Sequence, residues 1–138
     1  MTAKEFLKEL IWINEEIEAL QMQMLVLRSE AEGVKAMTIS DMPKGGKAKD
    51  PSDIVVEIAD LQCKCAEKMS ELVERKNRAT RIIMEMHTTE HRVVLINRYL
   101  CMRRWEDIAD KMGYSIRGIF KLHGQALVEF SKIYERVQ

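Results

Sequence analysis

Proline and glycine are scarce in this chain, with 2 and 6 among 138 residues, and aromatic side chains make up only 6%. An all-β fold needs frequent turns and a steady supply of β-branched and aromatic side chains, so this composition excludes one. No apolar run approaches the roughly 20 residues that span a bilayer, and the opening MTAKEFLKEL lacks the basic segment and apolar stretch of an export signal. A cytoplasmic protein that does not enter the membrane is expected. Cysteine is sparse and odd in number: Cys63, Cys65 and Cys101. Cys63 and Cys65 stand two apart on a predicted helix, which points their thiols to nearly opposite sides. Reduced thiols are therefore expected, without a disulfide framework or a paired metal motif. His87 and His91 have the four-residue spacing of a metal pair, but a predicted helix break separates them. There is no nucleophile elbow, phosphate loop, metal-binding helix motif or converging carboxylate pair. Catalytic residues, metal, cofactor and small-molecule substrate are accordingly not expected.

What is present is helix. Steps of three and four residues give Ala3, Phe6, Leu10, Ile13, Ile17, Leu20, Met24, Leu27, Ala31 and Val34. Such a seam holds one stripe of a helix against a partner. A helix from about 2 to 35 is predicted, about 50 Å long, with Gly33 marking its end. Residues 37 to 50, with a Pro and two adjacent Gly, read as a flexible loop. Asp50 followed by Pro51 reads as an N-cap and first helical position. The second helix has its own stripe of Ile54, Ile58, Leu61, Cys65, Met69, Leu72, Lys76, Ala79, Ile83 and Met86. The expected architecture is all-α, with a long antiparallel helical hairpin (a coiled coil) over 1–87 and a C-terminal three-helix domain over 88–138. The seam from Phe6 to Leu27 is more regular than a hairpin requires, so a homodimer through this N-terminal coiled coil is also expected. Trp12 lies off the seam, on a third helix or a partner surface.

Charge is balanced overall at 22 basic and 22 acidic residues, yet residues 91 to 138 hold nine basic and five acidic side chains. A basic third points to nucleic acid, whose phosphates supply much of the binding energy in such complexes. Three helices are predicted here, about 89–101, 105–112 and 115–136, with Gly113-Tyr114-Ser115 as the turn between the last two. Ser115 is the expected N-cap of the last helix, whose apolar face is Ile119, Leu122, Ala126, Phe130 and Ile133, with Leu127 also placed in the core. Trp105 is expected in the core against Tyr99 or Phe130, and His123 in helix packing. A short helix with Ile108 and Ala109 inward, a Gly-containing turn and a capped second helix have the features of a helix-turn-helix. The same spacing also occurs in small helical hairpins of purely structural role.

From His91 to Phe130 the sequence HRVVLINRYLCMRRWEDIADKMGYSIRGIFKLHGQALVEF resembles region 4 of bacterial primary sigma factors. The resemblance rests on Val94-Leu95 to Arg98-Tyr99-Leu100, Ile108-Ala109, Gly113, Ser115 and Ala126-Leu127-Phe130. Together with the preceding helical arm, the LHGQAL segment is also similar to small phage transcription regulators of the ArpU and RinA type. The resemblance implies binding of duplex DNA with the last helix in the major groove, and makes RNA polymerase a candidate partner. Carried onto this chain, the reading positions are Ile116, Arg117, Phe120, Lys121 and Gln125, with Ser115, Arg103 and Arg104 at the phosphates. Ile116 and Phe120 depart from the polar residues common at these sigma positions, so either they touch thymine methyls or the helix is rotated to bury one of them. No counterpart exists of the sigma region that binds core polymerase and melts promoters. The function expected is that of a sequence-specific transcription regulator, phage or prophage encoded. The alternative is a helical assembly protein, for example in phage packaging or scaffolding, whose helix-turn-helix is structural.

Overall fold

The computed structural model describes residues 1–39 and 50–138, with the side chains of 34–39 left aside. Among the described residues the chain is all-α and has no strand. Helix α1 spans Ala3–Ile39 and α2 Pro51–Met84; α3 covers Thr89–Leu95, α4 Trp105–Met112 and α5 Ile116–Arg136. A π-helical turn, Ile96–Leu100, extends α3. The predicted loop at 37–50 falls largely outside the described residues, and its first residues belong to α1. Gly33 therefore does not end the helix. It is exposed and its missing Cβ would meet nothing, so the position costs helix stability without forcing a stop.

The helix starts are chemically marked. Thr2 and Glu5 form a reciprocal capping box at α1: Glu5 N donates to Thr2 Oγ1 at 3.2 Å and Thr2 N to Glu5 Oε2 at 2.8 Å. Those bonds hold the Glu5 carboxyl below its usual range. Asp50 Oδ1 accepts from Ser52 N at 3.1 Å, the cap predicted from the Asp-Pro pair.

The chain divides into two compact units, Met1–Ile13 with Leu72–Gln138, and Asn14–Glu71. These divide otherwise than at the expected joint between 87 and 88. The reason lies in the first turns of α1. Phe6, Leu7 and Leu10 are fully buried, and the Phe6 ring lies 5.4 Å from that of Tyr134 on α5. Arg78 of α2 covers both rings, at 5.0 Å and 5.5 Å. Within this unit Phe6 faces Arg78 and Glu9 pairs with Arg75, so the two helices run antiparallel.

The second unit is a pair of helical segments. Its buried side chains among the described residues are Ile17, Met24, Leu27, Ile54 and Cys65. Lys68 Nζ lies 3.4 Å from Glu16 Oε1 and bridges to Glu71 on its own helix at 3.3 Å. Most of the predicted seam is thus buried by the chain itself, in one unit or the other. Self-association through it would have to open these contacts first. Met69, placed on the second stripe by periodicity, is 47% exposed, and Trp12 is 69% exposed rather than packed on a third helix.

Candidate nucleic-acid interface

The C-terminal helices reproduce the predicted boundaries because their ends are written in strong local signals. Gly113 takes φ 76°, and behind it Tyr114 N donates to Ala109 O at 2.9 Å while Gly113 N donates to Asp110 O at 3.3 Å. This left-handed closure stops α4, and glycine is the residue that adopts it without a Cβ penalty. Ser115 then caps α5 by accepting from Gly118 N at 3.0 Å. Residue 118 must be small here, since a Cβ would sit 3.1 Å from Ser115 Oγ and 3.3 Å from the Tyr114 ring. Tyr114 itself donates to Glu90 on α3 at 2.7 Å.

One face of α5 is core: Ile119, Leu122, Ala126, Phe130 and Ile133 are all buried, as is Tyr134. Leu127 is only half-buried and does not hold the core place assigned to it; Ala126, fully buried, occupies the center of the face. The opposite face carries Arg117, Lys121 and Gln125 at four-residue spacing, all exposed. Ile116 and Phe120 flank them, 43% and 47% exposed, so neither has been rotated into the core. Gly124, exposed and with nothing within 4 Å of a Cβ built on it, leaves this side of the helix low.

Trp105 links the start of α4 to this face. Its ring meets Phe120 edge-on at 5.3 Å and His123 at 4.6 Å, and Arg98 stacks over it at 4.9 Å. It is half-buried, and the ring pairs it forms are with Phe120 and His123 rather than with Tyr99 or Phe130, the expected neighbors. The two residues before it, Arg103 and Arg104, are exposed, and the segment they sit on is fixed from behind. Arg103 N donates to Asn97 O at 3.0 Å, and Arg98 donates to Arg103 O at 3.0 Å. Met102, at φ 55°, turns the chain in the left-handed region. Arg104 reaches Asp107 at 3.5 Å with a side chain 76% exposed, so most of its guanidinium faces solvent. Arg103, Arg117 and Lys121 have no carboxylate within ion-pair reach among the described residues. All eight predicted contact residues are solvent-accessible, with Phe120 and Trp105 joining the two clusters.

Sequence reasoning missed what supports this face. Tyr99 Oη and His123 Nε2 share a 2.7 Å hydrogen bond beneath Trp105. Burial, with Arg98 and Lys4 nearby, pushes His123 down to about 4, so the imidazole is neutral at physiological pH. Burial likewise pushes Tyr99 up to about 12. Glu129 pins the α2–α3 turn to α5, accepting from His87 N and Thr88 N at 3.1 Å each and meeting His91 Nδ1 at 3.3 Å. Burial raises its carboxyl, but the bonds from Thr88, His91 and His87 outweigh that and hold it below its usual range. His91 is thereby engaged with Glu129 rather than with His87, and no metal-binding group of three His, Cys, Asp or Glu exists among the described residues. Lys4, near His123 but more than a hundred residues away in sequence, carries no local signal that could have revealed it. No helix among the described residues is long and apolar enough to cross a membrane.

The fold and this arrangement define a small all-α protein with a basic, solvent-facing helix. The chain belongs to the family described as Protein of unknown function (DUF1492), whose model matches residues 34–131, more than half of its length. No curated protein and no solved structure matches it.

Proposed function

We propose that α4 and α5 form a helix-turn-helix that binds duplex DNA sequence-specifically, with α5 in the major groove, and that the protein regulates transcription from a phage or prophage genome in the cytoplasm. The carrying observation is the row Arg117, Lys121 and Gln125, exposed along one face of a helix whose opposite face is core, with neither cation in an ion pair among the described residues. The resemblance to sigma region 4 and to the ArpU and RinA type of regulator supports the same reading and makes RNA polymerase a candidate partner. Arg117 donates in a fork suited to a guanine edge, and Gln125 suits adenine. Ile116 and Phe120 offer apolar contact to thymine methyls. Ser115 keeps its hydroxyl proton for a phosphate while its oxygen accepts the cap bond, and Arg103 and Arg104 reach the backbone alongside.

The test is fluorescence anisotropy with random duplex DNA at two salt concentrations and with a site selected from a random pool. Binding should weaken steeply as salt rises. Arg117→Ala should cost about 1 to 3 kcal/mol on the selected site and relax preference at one base pair, with little change on random DNA. Lys121→Ala should weaken both alike and flatten the salt slope by about one. Salt-independent binding, or no binding, would leave the helical assembly protein as the better reading.

A further inference from the structure

Arg103 and Arg104 stand on an irregular segment and Arg117 and Lys121 on a helix, so the spacing between the two sets depends on what joins them. The segment leaves a π-helical turn that closes with Cys101 N donating to Ile96 O at 2.9 Å, one residue wider than an α-helical turn. Met102 turns the chain back, and Arg103 N returns to Asn97 O at 3.0 Å. Asn97 is buried and anchored in its turn, its Nδ2 donating to Val93 O at 2.9 Å. These bonds tie the segment to the end of α3. None of them reaches α5.

Arg98 supplies that tie. Its Nη1 donates to Arg103 O at 3.0 Å while its guanidinium covers the Trp105 ring at 4.9 Å, and that ring lies edge-on to Phe120 of α5 at 5.3 Å. One planar group thus joins the backbone of Arg103 to the ring beside the reading row. A guanidinium offers a flat face for stacking and donors fixed in its own plane; lysine has neither. Arg98 also has no carboxylate within ion-pair reach among the described residues. A cation without its own counter-charge, bonded to the backbone of Arg103, adds to the positive field that an anion at this segment would meet.

We propose that Arg98 is a positioning residue for DNA binding: it sets the spacing of Arg103 and Arg104 from the row Arg117 to Gln125, so that one duplex meets both sets at once. The proposal rests on the helix-turn-helix reading above. Arg98→Lys keeps the charge and removes the stack. It is compared with Arg103→Ala/Arg104→Ala, and with the three changes combined, in anisotropy titrations on the selected site. Arg98→Lys should weaken binding roughly tenfold and flatten the salt slope by about two, the phosphate contacts of Arg103 and Arg104, with its helical melting transition unchanged. Combined with Arg103→Ala/Arg104→Ala it should cost little more, because it acts through the same two side chains. In a Trp12→Phe background Trp105 is the sole tryptophan, and acrylamide should quench it more strongly once Arg98 is replaced, with no DNA present. Wild-type affinity and slope in Arg98→Lys, losses that add in the combined variant, an early melt with the slope intact, or unchanged quenching would each overturn the proposal while DNA binding by the wild type stands. A wild type that binds no DNA removes the helix-turn-helix reading, and the proposal with it.

Discussion

His123 shows how a single side chain ties the candidate interface to pH. It sits against Trp105 and hydrogen-bonds Tyr99, and burial pushes it down to about 4 from an ordinary value of 6.5. Between those values the unfolded chain binds a proton that the folded chain refuses, so stability falls as pH drops from 6.5 toward 4. Each pH unit in that window removes at most about 1.4 kcal/mol. Glu129 acts in the same direction lower down: its depressed carboxyl contributes stability above its ordinary value of 4.5, and that contribution is lost as pH falls further. His123→Gln keeps a hydrogen-bonding group for Tyr99 and cannot titrate. Its urea midpoint, followed from neutral pH down to 4, should fall less between 6.5 and 4.5 than that of the wild type. An unchanged slope would show that His123 is not the group being titrated.

At the scale of elements, two glycines of the C-terminal helices have equal room and opposite roles. A Cβ at Gly113 or at Gly124 would meet nothing within 4 Å. Gly113, however, sits at φ 76° closing α4, whereas Gly124 is inside α5. Gly113→Ala should therefore destabilize by about 1 to 2 kcal/mol, and Gly124→Ala should stabilize by about 0.5 to 1 kcal/mol, both read as shifts in urea midpoint. The same contrast explains how much of the fold was legible. Gly113-Tyr114-Ser115 combines a left-handed stop with a hydroxyl cap, so α4 and the start of α5 are found from sequence. Gly33 has no such company, and α1 runs past it. Periodicity locates Ile119, Leu122, Ala126, Phe130 and Ile133 because one helix face obeys one geometry. It cannot fix a boundary residue such as Leu127, whose burial depends on which neighbor arrives. The exposed row from Arg117 to Gln125 was legible for the same geometric reason. Its support by Trp105, Arg98 and His123 was not, because those contacts join segments whose approach no local pattern records.

At the scale of the molecule, the beginning of the chain belongs to the same compact unit as its end. Periodicity assigns Phe6 to a seam with α2, and it does face Arg78 there, but its ring also lies against Tyr134, which in turn stacks at 6.2 Å on Phe130. Phe6 is 1% exposed and Phe130 is fully buried, so the core beneath α5 is completed by a residue from the first two turns of α1. A second tie runs from Arg136 near the end of α5 to Glu85 just past α2, at 2.9 Å, though both are exposed and contribute little. Truncating Phe6 should therefore act on the unit that holds the candidate interface and not only on the helical arm. Phe6→Ala is expected to cost about 3 to 5 kcal/mol, the usual range for removing a buried aromatic side chain. The loss should appear in tyrosine fluorescence and near-ultraviolet dichroism as well as in helix melting, because Tyr134 loses the ring that covers it. DNA affinity at a temperature where the variant remains folded should match the wild type, since Phe6 is buried away from the solvent-facing row. Unfolding of the arm signal alone, with the aromatic signals melting as in the wild type, would show that the C-terminal helices hold together without α1.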